Sequence, residues 1–209
     1  MAWCIRWCHP QHHILRFCLL ITCLTSLAAI SVNPAGAADK QVSEYEVKAA
    51  CLYNFIRFVD WPETGKTKPD SLMVIGILGE DRFGNAFAPV EGRLVKANSR
   101  RLLIKRFGHY DRGVDPTACH VLFISATERT NARRIIKDLE NAPVLTVGEF
   151  EGFLELGGII NLITVDEKIR WEVHRGQADR AGLEFSSQLL RTATRVLEAG
   201  GRTTKSGAR

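Results

Sequence analysis

LMVIGILGEDRFG, residues 72–84, decides the fold class. A short unbroken apolar run stops at Gly-Glu-Asp, the pattern of a buried strand that feeds into a turn. The spacing downstream predicts a short helix around RFGNAFAPV (82–90). Two more runs of the same kind follow, RLLIKRF (101–107) and CHVLFIS (119–125), each long enough for one strand. Between 128 and 140 the apolar residues Ile135, Ile136 and Leu139 recur at helical intervals, and PVLTVGE (143–149) then supplies a fourth strand.

GGIINLITVDEKIRWEV (157–173) is two strands around a Val-Asp-Glu-Lys turn, an antiparallel hairpin. From about 177 to 198, Leu183, Leu189, Leu190, Val196 and Leu197 predict one closing helix, with a break near Gly182. Strands alternating with helices give the fold class: α/β, a single domain with a mostly parallel sheet flanked by helices and a late antiparallel hairpin.

Upstream, Val47, Cys51, Phe55 and Phe58 recur at four, four and three residues in EYEVKAACLYNFIRFVDW (44–61). Leu52, Ile56 and Val59 widen that stripe, and Lys48, Arg57 and Asp60 take the outer side. Ser43 with Glu46 fits a capping box, and Pro62 disfavours helix at Trp61, so the expected helix ends there. GKTKPDS (65–71) is a polar linker.

The two ends differ from this body. Residues 1–37 have the form of a secretory signal peptide: Arg6 and Arg16 without an acid, the apolar run FCLLITCLTSLAAISV (17–32), then Ala35-Gly36-Ala37. An uncleaved anchor is the alternative; the run is short for a bilayer span of about 20 residues and carries hydroxyls. Cleavage would leave a domain over 38–199 and a disordered basic tail over 200–209, GGRTTKSGAR. The whole chain of 209 residues has a net charge of +5, and the leader holds two of those positive charges. The small, interspersed balance that remains speaks against nucleic acid as a partner.

Export also removes Cys4, Cys8, Cys18 and Cys23, leaving Cys51 and Cys119. In an oxidising compartment the pair is a candidate disulfide, and two buried thiols are the alternative. Catalytic or cofactor patterns are missing. The turn at 76–84 lacks both GxGxxG and a phosphate-loop ending, and Glu80 and Asp81 stand where a phosphate would need positive charge. Asp81 instead suits a local cap. Cys119 and His120 are strand neighbours and point to opposite faces, so they do not share a metal ion. Glu149, Glu151 and Glu155 after the fourth strand form either an acid/base group or a solvated surface. No enzyme, cofactor or metal site is expected. Candidate partner contacts are Arg57 and Asp60 outside the opening helix, and Arg191 and Arg195 at i,i+4 on the closing helix.

VKAACLYNFIRFVDWP, GILGEDRFG, RLLIKRF, CHVLFIS, PVLTVGE, GGIINLI with KIRWEV, and AGLEFSSQLLRTATRV follow one another in an order that resembles the YfiR family, DUF4154, over about residues 42–198. The resemblance implies a periplasmic α/β regulator without enzymatic activity. It implies as partners an inner-membrane diguanylate cyclase of the YfiN kind, held down by contact with its periplasmic sensor region, and an OmpA-type outer-membrane lipoprotein of the YfiB kind. Oligomeric state is left open, a homodimer included. In the family the cysteine matched by Cys119 often pairs with one near the position of Gly76, where this chain has no thiol. A Cys51–Cys119 bridge would need the opening helix to lie beside the third strand, with Cα atoms within about 7 Å. The alternative function is a periplasmic small-ligand module, with its pocket near GEDRFG and the Glu149 turn.

Overall fold

The computed structural model describes residues 43–62, 72–95, 100–200 and 203–204. The leader expected over 1–37 and the linker over 65–71 lie outside the described residues. The opening helix, α1, runs Glu44–Phe58. Its first turn closes as a capping box: Ser43 Oγ accepts from Glu46 N at 3.2 Å, and Glu46 Oε2 accepts from Ser43 N at 2.7 Å. The helix stops short of Trp61, because Val59–Asp60 turn extended as β1 and pair antiparallel with β9, Glu184–Phe185.

The main sheet has nine strands among the described residues. They are β2 (Met73–Leu78), β3 (Leu94–Val95), β4 (Arg100–Gly108), β5 (Val121–Ile124), β6 (Leu145–Gly148), β7 (Ile160–Val165), β8 (Lys168–His174), β10 (Arg195–Leu197) and β11 (Thr203–Thr204). Their order is β11-β10-β8-β7-β6-β5-β2-β4-β3. The run β4-β2-β5-β6-β7 is parallel throughout, and β7–β8 is the antiparallel hairpin. Its turn residues Asp166 and Glu167 have φ of 47° and 59°, the left-handed pair that a two-residue hairpin turn requires. The mostly parallel α/β class read from the sequence is the observed one.

Every residue of β2 is buried, and its alternation sorts the core into two layers. Met73, Ile75 and Ile77 join Leu52, Phe55 and Ile56 of α1 on one face. Val74 and Leu78 join Ile135 of α2 (Ala132–Asp138), Phe150 and Phe153 on the other. Glycine is needed at 148 because Phe153 lies over it: a Cβ there would sit 2.5 Å from the ring.

Two expectations are corrected. The segment 82–90 folds as successive turns, without a helix. The closing helix is instead α3 (Arg175–Arg180), β9, α4 (Ser187–Thr192) and β10. Gly182 at φ 69° and the extended Ala193 separate these pieces, so the apolar residues that suggested one helix are divided among the turn before β9, α4 and β10. Of the stretch 200–209 expected as a disordered basic tail, 201–202 and 205–209 lie outside the described residues; Thr203–Thr204 form β11, which pairs Thr203 with Leu197 and Thr204 with Val196.

Candidate functional site

The parallel strands β2, β5 and β6 end on a common rim, the usual place for ligand sites in such sheets. At that rim Glu149, the residue after β6, turns inward. Its side chain is 5% exposed and meets Lys48 of α1, itself 7% exposed, at 2.6 Å. The Tyr45 hydroxyl donates to both carboxylate oxygens, at 3.2 and 3.0 Å, and Ala126 N donates to Oε1 at 3.3 Å. Lys48 also reaches Glu44, one turn earlier on the helix, at 2.5 Å. One carboxylate thus ties the opening helix to the turn after β5.

The electrostatics follow from burial and these partners. Burial works to lower the Lys48 pKa, but the hydrogen bonds to Glu149 and Glu44 outweigh it and the net direction is up. Tyr45 is raised, first by burial and then by the charge of Glu149. Its ring stacks edge-on against Phe83 at 5.2 Å and lies under the Arg82 guanidinium at 5.0 Å, so the GEDRFG turn joins the same cluster. Asp81 caps this turn by accepting from Phe83 N at 2.9 Å and pairs with Arg106 at 2.6 Å.

Beyond Gly148 the strand β6 ends while β7 and β8 continue, which opens a cleft of about 710 Å3. A lateral row of residues crosses its floor: the register sets Gly148 beside Asn161, Asn161 beside Glu172, and Glu172 beside Arg195. Arg195 binds Glu172 through Nε at 2.8 Å and Nη2 at 3.0 Å, and reaches Glu155 at 3.1 Å through Nη1. The hydrogen bonds it donates to Glu172 raise the Arg195 pKa first of all, with a smaller opposing effect of burial. Asn161 is 3% exposed and its Oδ1 has no hydrogen-bond partner.

The residues singled out from the sequence separate into distinct places. Arg57, Asp60 and Arg191 are exposed, the first two at the end of α1 and β1, the third on α4, which packs against α1. Arg195 is not their neighbour on a helix: it lies on β10 with its charge engaged in the cleft. The candidate Cys51–Cys119 disulfide is not formed, and both thiols are free. The reason is topological. Cys51 packs with the α1 layer and Cys119 with the opposite layer, so the sheet stands between them. Burial pushes the Cys51 thiol up to about 11 and Cys119 to about 12. The neighbour of Cys119 is Gly76, where a Cβ would stand 2.5 Å from its Sγ.

Lys48, Tyr45 and Asn161 were not singled out. Helical period alone places Lys48 outside, and no local pattern marks a lysine that a distant loop will cover. Among the described residues no group of three or more His, Cys, Asp or Glu could hold a metal ion, and no helix is long and apolar enough to cross a membrane.

Residues 45–194 match the family model described as DUF4154, YfiR/HmsC-like, which covers most of the chain. The chain belongs to the YfiR/HmsC-like family. Among solved structures it is similar to a conserved domain protein from Vibrio cholerae O1 biovar El Tor, at 11% identity and a TM-score of 0.50 over 74% of this chain. It is also similar to an ABC domain in complex with L-Trp from Streptococcus pneumoniae, at 12% identity and a TM-score of 0.47 over 71% of this chain. The chain spans 60% of the length of each. At such identity the first likeness speaks to fold alone. YfiR/HmsC-like proteins are periplasmic, non-enzymatic regulators of cyclic-di-GMP signalling that act with diguanylate cyclase-type partners.

Proposed function

We propose that this YfiR/HmsC-like protein is exported with cleavage after residue 37 and restrains an inner-membrane diguanylate cyclase by binding its periplasmic sensor region. An OmpA-type outer-membrane lipoprotein of the YfiB kind is the proposed competitor that withdraws it from the cyclase. The observation that carries this reading is the family match over 45–194, which takes in all of the sheet except β11 and its β10 neighbour. The exposed Arg57, Asp60 and Arg191, on packed elements of one side, are the proposed contact residues.

In-cell cross-linking of the tagged protein, followed by mass spectrometry, tests the reading. Recovery of a membrane protein with a cyclase domain is the expected result, together with a higher cyclic-di-GMP level in cells lacking this protein. An unchanged nucleotide level and no membrane partner from a well-expressed protein would overturn it. N-terminal sequencing of the exported form is expected to begin at Ala38. The cleft beside Glu149 favours a second reading, a small-ligand module without a cyclase partner.

A further inference from the structure

We propose that the cavity between α2 and α3 binds a small amphipathic anion, a carboxylate on an aromatic or short aliphatic body. The cavity is about 380 Å3, within the range of small-molecule sites, and shares no lining residue with the Glu149 cleft. Two helices supply its walls. Arg133, Ile136 and Lys137 stand at i, i+3 and i+4 on one side of α2, and Gln177, Arg180 and Ala181 repeat that spacing from α3 into its cap. Gly157 bridges the walls: a Cβ there would stand 3.2 Å from Ile136 Cγ2 and 3.6 Å from Gln177 Nε2.

Two features fix the chemical class. The first is charge without a partner. Arg133, Lys137 and Arg180 are exposed, and none of them makes an ion pair among the described residues. Lys48 and Arg195, the cations of the Glu149 cleft, are by contrast each held between two carboxylates. Glu140 is the one carboxylate in the α2–α3 lining, so three cations face a single acid. Cations gathered from two helices focus a positive potential on the space between them, and a carboxylate there meets charge-assisted donors. The second feature is the apolar lining. The buried Leu139, Val144 and Ile159 are joined by the half-buried Ile136 and Leu156. An inorganic ion would leave that surface bare, and a neutral apolar compound would leave the charges unmet. A carboxylate with an apolar body satisfies both, with Lys137 and Arg180 as its anchors from the two walls.

The inference goes beyond the cyclase reading and does not rest on it, and its test uses the purified exported protein alone. Thermal unfolding is followed with phenylacetate and hexanoate at constant ionic strength, up to roughly 10 mM. Acetate and sulfate supply the charge without the body, and 2-phenylethanol supplies the body without the charge. Co-sedimentation with phosphatidylglycerol vesicles is the remaining arm. The expected result is a melting temperature that climbs with either organic acid and responds to none of the three controls. Lys137→Gln and Arg180→Gln, at exposed positions, should each weaken phenylacetate about tenfold. Arg134→Gln removes the same charge from α2 outside the lining and should leave phenylacetate binding unchanged. An equal loss in Arg134→Gln would mean diffuse attraction and would overturn the proposal. So would no response to either acid, an equal response to acetate or sulfate, or binding confined to the vesicles, which would reassign these cations to a membrane surface.

Discussion

Lys48→Met isolates the tie between the opening helix and the end of β6. Methionine keeps the apolar stem and removes the charge that stands 2.6 Å from Glu149. Breaking a buried pair by deleting one partner costs about 3–5 kcal/mol, because the other charge is left without compensation. Here Glu149 retains the Tyr45 hydroxyl and the Ala126 amide, which favours the low end, about 3 kcal/mol. The link to Glu44 adds little, since that carboxylate is 53% exposed. Urea unfolding of the exported protein, followed by Trp61 and Trp171 fluorescence, should show a lower midpoint with an unchanged slope. For a domain of this size the same loss lowers the melting temperature by roughly 6–12 °C. The double variant Lys48→Met/Glu149→Leu should lose far less than the two singles combined, since neither charge then remains. A single-variant loss under about 1 kcal/mol, or additive singles, would refute the argument that this pair is buried and coupled.

Phe55→Ala should cost about 3–5 kcal/mol in the same unfolding assay, because Phe55 is 2% exposed and meets Trp171 edge-on at 5.6 Å; a loss under about 1 kcal/mol would take it out of the core. The wild-type exported protein should titrate as two thiols in denaturant, whereas Gly76→Cys should lose its reactive pair to a 76–119 bridge under oxidation. A loop of that length is worth about 4 kcal/mol in the chain-entropy model, less any strain, and failure of the bridge to close would place strand β2 wrongly against Cys119. Stability should fall on acidification through His174. Its pKa is lowered, first by burial and then by Arg180, so the neutral ring is the native form. Its Nδ1 accepts from Gln177 N at 3.3 Å to cap α3. A depressed pKa gives stability that is present above the ordinary value and lost as pH falls through the lowered one, so the loss begins below about 6.5. His174→Asn keeps a cap without a titrating group and should flatten the slope between pH 7 and 5; an unaltered slope would assign it elsewhere.

Legibility in the sequence tracked how local the causes were. Strand β2 was readable because both of its faces are buried, so its residues form one apolar run with no alternation to obscure it. The late hairpin was readable from its two-residue turn, and the start of α1 from Ser43 and Glu46. The end of α1 was misjudged because β1 exists only through its pairing with β9, a partner more than a hundred residues away. The same cause hid the cleft. Lys48 sits at an outer position by helical period, and it is buried only because Glu149 descends on it. Arg195 was placed on a helix because Leu189, Leu190, Val196 and Leu197 imitate a helical stripe across a helix and a strand. Asn161 sits in a strand whose neighbours are apolar, and nothing nearby in the sequence says that its side-chain oxygen will lack a partner.

The attachment of α1 also sets an order of events. Its buried side leans on Trp171, its lysine on Glu149, and its end on Phe185, all from the second half of the chain. A polypeptide delivered N-terminus first therefore presents its earliest folded segment long before any of its docking sites has emerged. During that interval an amphipathic helix with Leu52, Phe55 and Ile56 uncovered must be kept from other apolar surfaces. The last stretch to arrive closes the structure around the first, so a truncated chain lacks more than its missing end: it also leaves the opening helix without a seat.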